Sequence, residues 1–146
     1  MDAERARKFL LGLPDVVETQ QWGDNLVYWV GDKAVGGKMF ALISLSGGLT
    51  GGGRFVVSFA SDAEGFAVWV EQESIFPAPY LARAKWVAAE RWDAMRDTEW
   101  REALTQACEI VRAKLPPKAK RVLLLSKSEQ RRVIAAARSL REKKKL

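Results

Sequence analysis

With 146 residues, 48% of them apolar and 29% charged, the chain can bury one core of ordinary size and is not a disordered polyelectrolyte. It has no histidine and a single cysteine, Cys108, which excludes Ser-His-Asp and Cys-His catalysis, histidine-containing zinc sites and any internal disulfide. The net charge of +6 is unevenly divided: residues 1–113 hold 12 Lys/Arg against 16 Asp/Glu, whereas residues 114–146 hold 12 Lys/Arg against only Glu129 and Glu142.

Residues Asp2–Leu11 predict a helix, with Ala6, Phe9, Leu10 and Leu13 at the spacing of one buried stripe and Gly12 and Pro14 ending it. Three β segments follow at Leu26–Val30, Lys38–Leu45 and Arg54–Ala60, each rich in β-branched or aromatic residues. The stretch from Ser46 to Gly53, with five glycines, predicts a flexible hairpin loop; it has neither the following helix nor the Lys-Ser/Thr of a phosphate-binding loop. Ser61 and Glu64 stand at capping-box spacing before a helix whose buried side would carry Phe66, Trp69 and Val70.

Pro77 and Pro79 force Ile75–Tyr80 into an extended path, and Ala84–Trp92 predicts another strand. Thr98–Leu115 then reads as a long helix with Trp100, Leu104, Ala107, Cys108, Val111 and Leu115 on one face, stopped by Pro116-Pro117. Lys118–Leu125 has the character of a connector. Ser126–Lys145 predicts a final helix, with a narrow apolar stripe of Val133, Ile134, Ala137 and Leu140 among many cations. Hairpins in place of βαβ crossovers favour an α+β fold, an antiparallel sheet packed against helices. The expected division is a domain over residues 1–117 and a basic C-terminal extension over 118–146.

Several local patterns resemble the MmcQ/YjbR-like family. They are Leu13-Pro14-Asp15-Val16-Val17-Glu18 after the first helix, Gly37-Lys38-Met39-Phe40-Ala41, Pro77-Ala78-Pro79-Tyr80-Leu81 with Trp86-Val87 following, and Ala113-Lys114-Leu115-Pro116. The resemblance covers residues 3–117 and implies a CyaY-like fold and the family's usual description as DNA-binding. It brings no catalytic residues and no cofactor. The matched region is net acidic here, which moves any affinity for DNA to the C-terminal segment.

Seven side chains there, Arg131, Arg132, Arg138, Arg141, Lys143, Lys144 and Lys145, are the candidate contacts to DNA or another polyanion. Cations on phosphates release counterions and give salt-dependent, sequence-independent binding, and no groove-reading motif is present. The plain alternative is a solvated helix face. A weaker second patch is Lys38, Arg83 and Lys85 beside Trp86 and Tyr80, where aromatics interleaved with cations could grip a single strand; Trp86 reads equally as a core residue. Other readings are an interaction module, a homodimer through Val133, Ile134, Ala137 and Leu140, and a small-molecule pocket near Tyr80 and Trp86. Most of the six tryptophans fit core periodicities, leaving Trp22 and Trp92 as those whose exposure needs checking. The carboxylate pairs Glu71/Glu73 and Asp97/Glu99 lack a third ligand, so no metal or other cofactor is expected. The longest apolar runs, Phe66–Val70 and Val122–Leu125, fall far below the ~18 residues of a membrane span. With no apolar signal near Met1 and one unpaired cysteine, the expected location is the cytoplasm. The combined expectation is a non-enzymatic nucleic-acid-binding protein.

Overall fold

A computed structural model describes residues 1–46 and 54–145; the predicted glycine loop at 47–53 lies outside the described residues. The elements are α1 (Ala3–Leu11), β1 (Val16–Gln21), β2 (Asn25–Val30), β3 (Lys38–Ser44), β4 (Val57–Ala60), α2 (Ala63–Trp69), β5 (Ile75–Pro77), β6 (Trp86–Ala89), α3 (Asp97–Ala113), α4 (Pro117–Leu123) and α5 (Lys127–Lys145). Short 3₁₀ turns occupy Lys33–Val35, Ala82–Ala84 and Trp92–Ala94. The six strands form one antiparallel sheet in the order β1-β2-β3-β4-β6-β5. This is the α+β architecture expected.

Cross-strand partners share a face of a sheet. Phe59 pairs with Ala41 and Val87, and Val57 with Ile43 and Ala89, so these six residues form one face. The helices lie on it: Phe59 meets the ring of Trp69 from α2 at 5.6 Å and that of Trp100 from α3 at 6.2 Å, both edge-to-face. Trp100 is fully buried, and its indole N–H donates to the carbonyl of Trp92 at 2.7 Å. The predicted stripe of α3, from Trp100 to Val111, is buried throughout, with Leu115 just beyond the helix.

The first helix is held by charge as well as packing. Arg7 of α1 forms a two-point contact with Glu18 of β1 at 2.8 and 3.0 Å, and Glu18 also accepts from the hydroxyl of fully buried Tyr28 at 2.7 Å. Asp97 at the start of α3 accepts from the Met1 amine at 2.6 Å and pairs with Arg5.

Four sequence expectations need correction. Val16–Gln21 is a strand, hidden in the sequence because its last four residues, Glu18-Thr19-Gln20-Gln21, are polar. Asp62, not Ser61, caps α2, its carboxylate accepting from the Gly65 amide at 2.7 Å. The strand expected over Ala84–Trp92 shrinks to Trp86–Ala89, because Lys85 takes a left-handed φ of 65°. The expected connector Lys118–Leu125 contains α4, started by Pro117 in the first helical turn, where a missing amide hydrogen costs nothing. At the outer edge of the sheet, β5 has only three residues and ends in Pro77.

The turn from β2 to β3, residues Gly31 to Gly37, shapes the end of the sheet. A Cβ built on Gly37 would stand 2.0 Å from the Gly31 carbonyl oxygen, and one on Gly36 3.2 Å from Pro116 and 3.3 Å from Ala119. Gly37→Ala must therefore spread the turn, and we expect a loss of ~3 kcal/mol or more in urea unfolding. A second outcome concerns acid. Arg7's hydrogen bond, opposed by partial burial, holds the Glu18 carboxyl below its usual range. A carboxylate lowered by folding stabilises fully above its ordinary value of ~4.3 and loses that contribution as pH falls through the lower folded value. Urea midpoints from pH 6 down to 3 should thus fall less steeply in Glu18→Gln than in the parent chain.

Candidate nucleic-acid interface

Helix α5 begins with a serine cap, the Ser126 hydroxyl accepting from the Glu129 amide at 3.2 Å, as its sequence spacing predicts. Gln130 turns inward and donates to the carbonyls of Leu123 and Leu125 at 3.3 and 3.0 Å, satisfying the open C-terminal end of α4. Ile134 lies in a crevice shared with Val35, Val122 and Leu123, at the glycine turn. Two carboxylates of the body fix the direction of α5. Asp15 takes Lys127 at 3.4 Å while also holding Arg112 of α3 at 2.9 Å, and Asp32 pairs with Arg138. Asp32 caps the Lys33–Val35 turn too, accepting from the Ala34 amide at 2.9 Å.

The seven expected contacts therefore divide. Arg138 is joined to Asp32, which corrects the expectation that it is free for an outside phosphate. Arg131, Arg132, Arg141, Lys143, Lys144 and Lys145 are exposed, and none has an acidic partner within 4 Å among the described residues. Lys143–Lys145 fill the last turn of α5, where cations also suit the negative end of the helix dipole. Arg141 joins Arg138 beside Val17, Thr19 and Trp29, at the end of the β1–β2 hairpin. Of the apolar stripe, Val133, Ile134 and Ala137 are half-buried in the helix's own docking, and Leu140 is 60% exposed. The surface that a second copy would use is already partly covered within the chain.

The second expected patch lacks the aromatic face of Trp86. Trp86 is buried, and so presents no ring for stacking. Lys85 lies over the ring of Phe66 at 5.2 Å. Arg83 sits in the turn before β6, and Lys38 borders a shallow depression with Trp86 and Lys114.

Exposed aromatics occur elsewhere. Trp22 is 62% and Tyr80 86% exposed, and both border a cavity of about 520 Å³ on the sheet face turned away from α1, α2 and α3. The pocket expected between sheet and helices near Tyr80 and Trp86 is not this one: the cavity lies on the opposite face of the sheet, and Trp22, not Trp86, stands at its rim with Tyr80. Trp92, by contrast, is half-buried with its ring 5.2 Å from that of Trp100.

Sequence reasoning missed the two carboxylates that capture α5. Asp15 and Asp32 each follow an apolar or glycine residue at the end of an element, and nothing in their spacing links them to cations more than a hundred positions away. Cys108 is buried, and burial pushes its thiol up, away from nucleophilic reactivity. No helix among the described residues is long and apolar enough to cross a membrane.

A family model described as YjbR matches residues 11–109. The chain is also similar to the crystal structure of the Deinococcus radiodurans protein DR2400, with a domain of DUF419. The TM-score is 0.69 at 20% identity, covering 86% of this chain and 89% of that one. At that identity the likeness carries the fold. No curated protein matches the chain.

Asp32→Asn should keep the cap on the 3₁₀ turn, since asparagine caps as well as aspartate, while freeing Arg138. With the guanidinium 62% exposed, solvent screens the pair, and the loss in thermal or urea stability should stay below ~1 kcal/mol.

Proposed function

The chain belongs to the YjbR family, and we propose that it is a non-enzymatic nucleic-acid-binding protein that holds phosphates through α5 without reading sequence. The observation carrying this reading is the set of six exposed cations, Arg131, Arg132, Arg141 and Lys143–Lys145, with no acidic partner among the described residues. Over its 19 residues α5 is about 28 Å long, enough to lie along several phosphates. Lys127 and Arg138 serve a different purpose, anchoring the helix to the body. The acidic surplus of residues 1–113 repels a polyanion and so confines contact to the basic segment.

Helix α5 carries two internal brakes on this affinity: Glu129 in its first turn and Glu142 among the cations of its last turns. The body supplies another, since Asp32 neutralises Arg138 and lowers the local potential.

Binding through six phosphate contacts predicts a log–log salt slope approaching about −5 on duplex DNA, hence a ~10³-fold loss of affinity between about 50 and 200 mM salt. Anisotropy titrations of a labelled duplex would measure it. The full chain with Arg131, Arg132, Lys143, Lys144 and Lys145 all changed to Gln should bind far more weakly, with a slope near −1. Asp32→Asn should bind more tightly than the parent. No binding by the parent at low salt, or an unchanged slope in the five-fold variant, would refute the reading.

A further inference from the structure

The cavity below Trp22 and Tyr80 has features that phosphate binding does not use. Its apolar wall is built from Met39, Leu42 and Phe55, and its polar groups are Asn25 and Ser58. Both rim aromatics sit on backbone that L-residues rarely adopt. Trp22 has φ 50° in the β1–β2 turn, followed by Gly23 at 80°. Tyr80 has φ 64° at the third position of the turn Ala78-Pro79-Tyr80-Leu81, which the Leu81 amide closes onto the Ala78 carbonyl at 3.2 Å. Proline second and positive φ third is the type II pattern, where glycine is the relaxed choice. A bulky, exposed aromatic there is a local cost, and such strain concentrates at functional positions.

We infer that this cavity is a nucleobase site. An unpaired base of a single strand enters it against Trp22 and Tyr80, while the flanking phosphates run toward α5. The inference rests on the phosphate-binding reading above and names the form of nucleic acid preferred. Its chemistry is complementary to a flat heteroaromatic edge. The Asn25 side-chain amide donates to the Trp22 carbonyl at 2.9 Å, and among the described residues its own carbonyl oxygen and second N–H have no partner. The Ser58 hydroxyl donates to the Val87 carbonyl at 3.1 Å and keeps its lone pairs as acceptors. Nucleobases offer both donors and acceptors along one edge.

The cavity and the depression that holds Arg138 and Arg141 share no lining residue but are reached from neighbouring strands of one sheet. Trp29, beside Arg138 and Arg141, is the cross-strand partner of Met39, which lines the cavity. Along β2, Trp29 stands four residues from Asn25, about 13 Å. A strand can therefore place phosphates against α5 and a base in the cavity at once. In a duplex the bases are paired and stacked, and the cavity gains nothing from them.

Three oligomers of equal length separate the possibilities: a single-stranded DNA, the same backbone with abasic sites throughout, and an uncharged methylphosphonate carrying the bases. The expected result is tighter binding of the base-bearing strand than of the abasic one, and quenching of Trp22 fluorescence by the methylphosphonate. Trp22→Ala and Tyr80→Ala should each weaken the base-bearing strand about 5- to 150-fold, as expected for one lost stacking partner. Their affinity for the abasic strand, and the salt slope, should not change. Tyr80→Gly supplies a fold control, because relief of the positive φ should leave thermal stability equal or higher while base-dependent binding is lost. Equal affinity for base-bearing and abasic strands would overturn the base site and leave phosphate binding standing. Methylphosphonate quenching without salt-dependent binding would do the reverse, and failure of both would overturn both.

Discussion

The close approach of Gly31 and Gly37 governs where the C-terminal part of the chain can go. A side chain at Gly37 would collide with backbone, and one at Gly36 would press on Pro116 and Ala119. With hydrogen alone at these positions the turn between β2 and β3 stays narrow, and α4 and α5 can settle on it. Leu123 reaches to 3.7 Å of where a Gly31 side chain would begin. The direction of the basic helix is thus decided at the end of the sheet, by an absence of side-chain volume, before any charge is considered.

Charge then refines what packing permits. Asp15 and Asp32 lie at the two sides of that turn and take one cation each from α5. Asp15 is shared with Arg112 of α3, so the helix is referenced to the core and not only to the surface. Exposed ion pairs contribute little to stability singly. Their effect here is directional: they hold α5 against the body from Lys127 to Arg138, and the remaining cations follow from helical geometry. The acidic character of residues 1–113 is therefore used at two points to hold the very segment that opposes it in sign.

Much of this was legible beforehand because it follows from local chemistry. The buried stripe of α3 is written at helical spacing, and Ser126 with Glu129 announces the start of α5. The strands β2, β3 and β4 declare themselves by aromatic and β-branched content. By contrast β1 is an edge strand whose polar residues are taken up by Arg7, by the Trp29 indole or by solvent, and no periodicity betrays it. The short helix α4 was hidden by a Pro-Pro pair, which reads first as a stop and only then as a start. At the candidate site the cations were evident from composition, but the pairing of Arg138 was not, since Asp32 is 106 residues away. The Trp22 and Tyr80 rim had a partial signal: Pro79 before Tyr80 marks a turn, and turns place side chains outside.

The shortness of β5 has a consequence for life in a crowded solution. An outermost strand normally offers a ladder of unused amide hydrogens and carbonyls, an invitation to a neighbour's backbone. Here only Ile75 and Pro77 turn their backbone outward; the Ile75 amide is already taken by the Gln72 carbonyl, and Pro77 has no amide hydrogen to offer. Fibrous stacking through this margin is thereby discouraged by one turn and one imino acid, at no expense to the interior it borders.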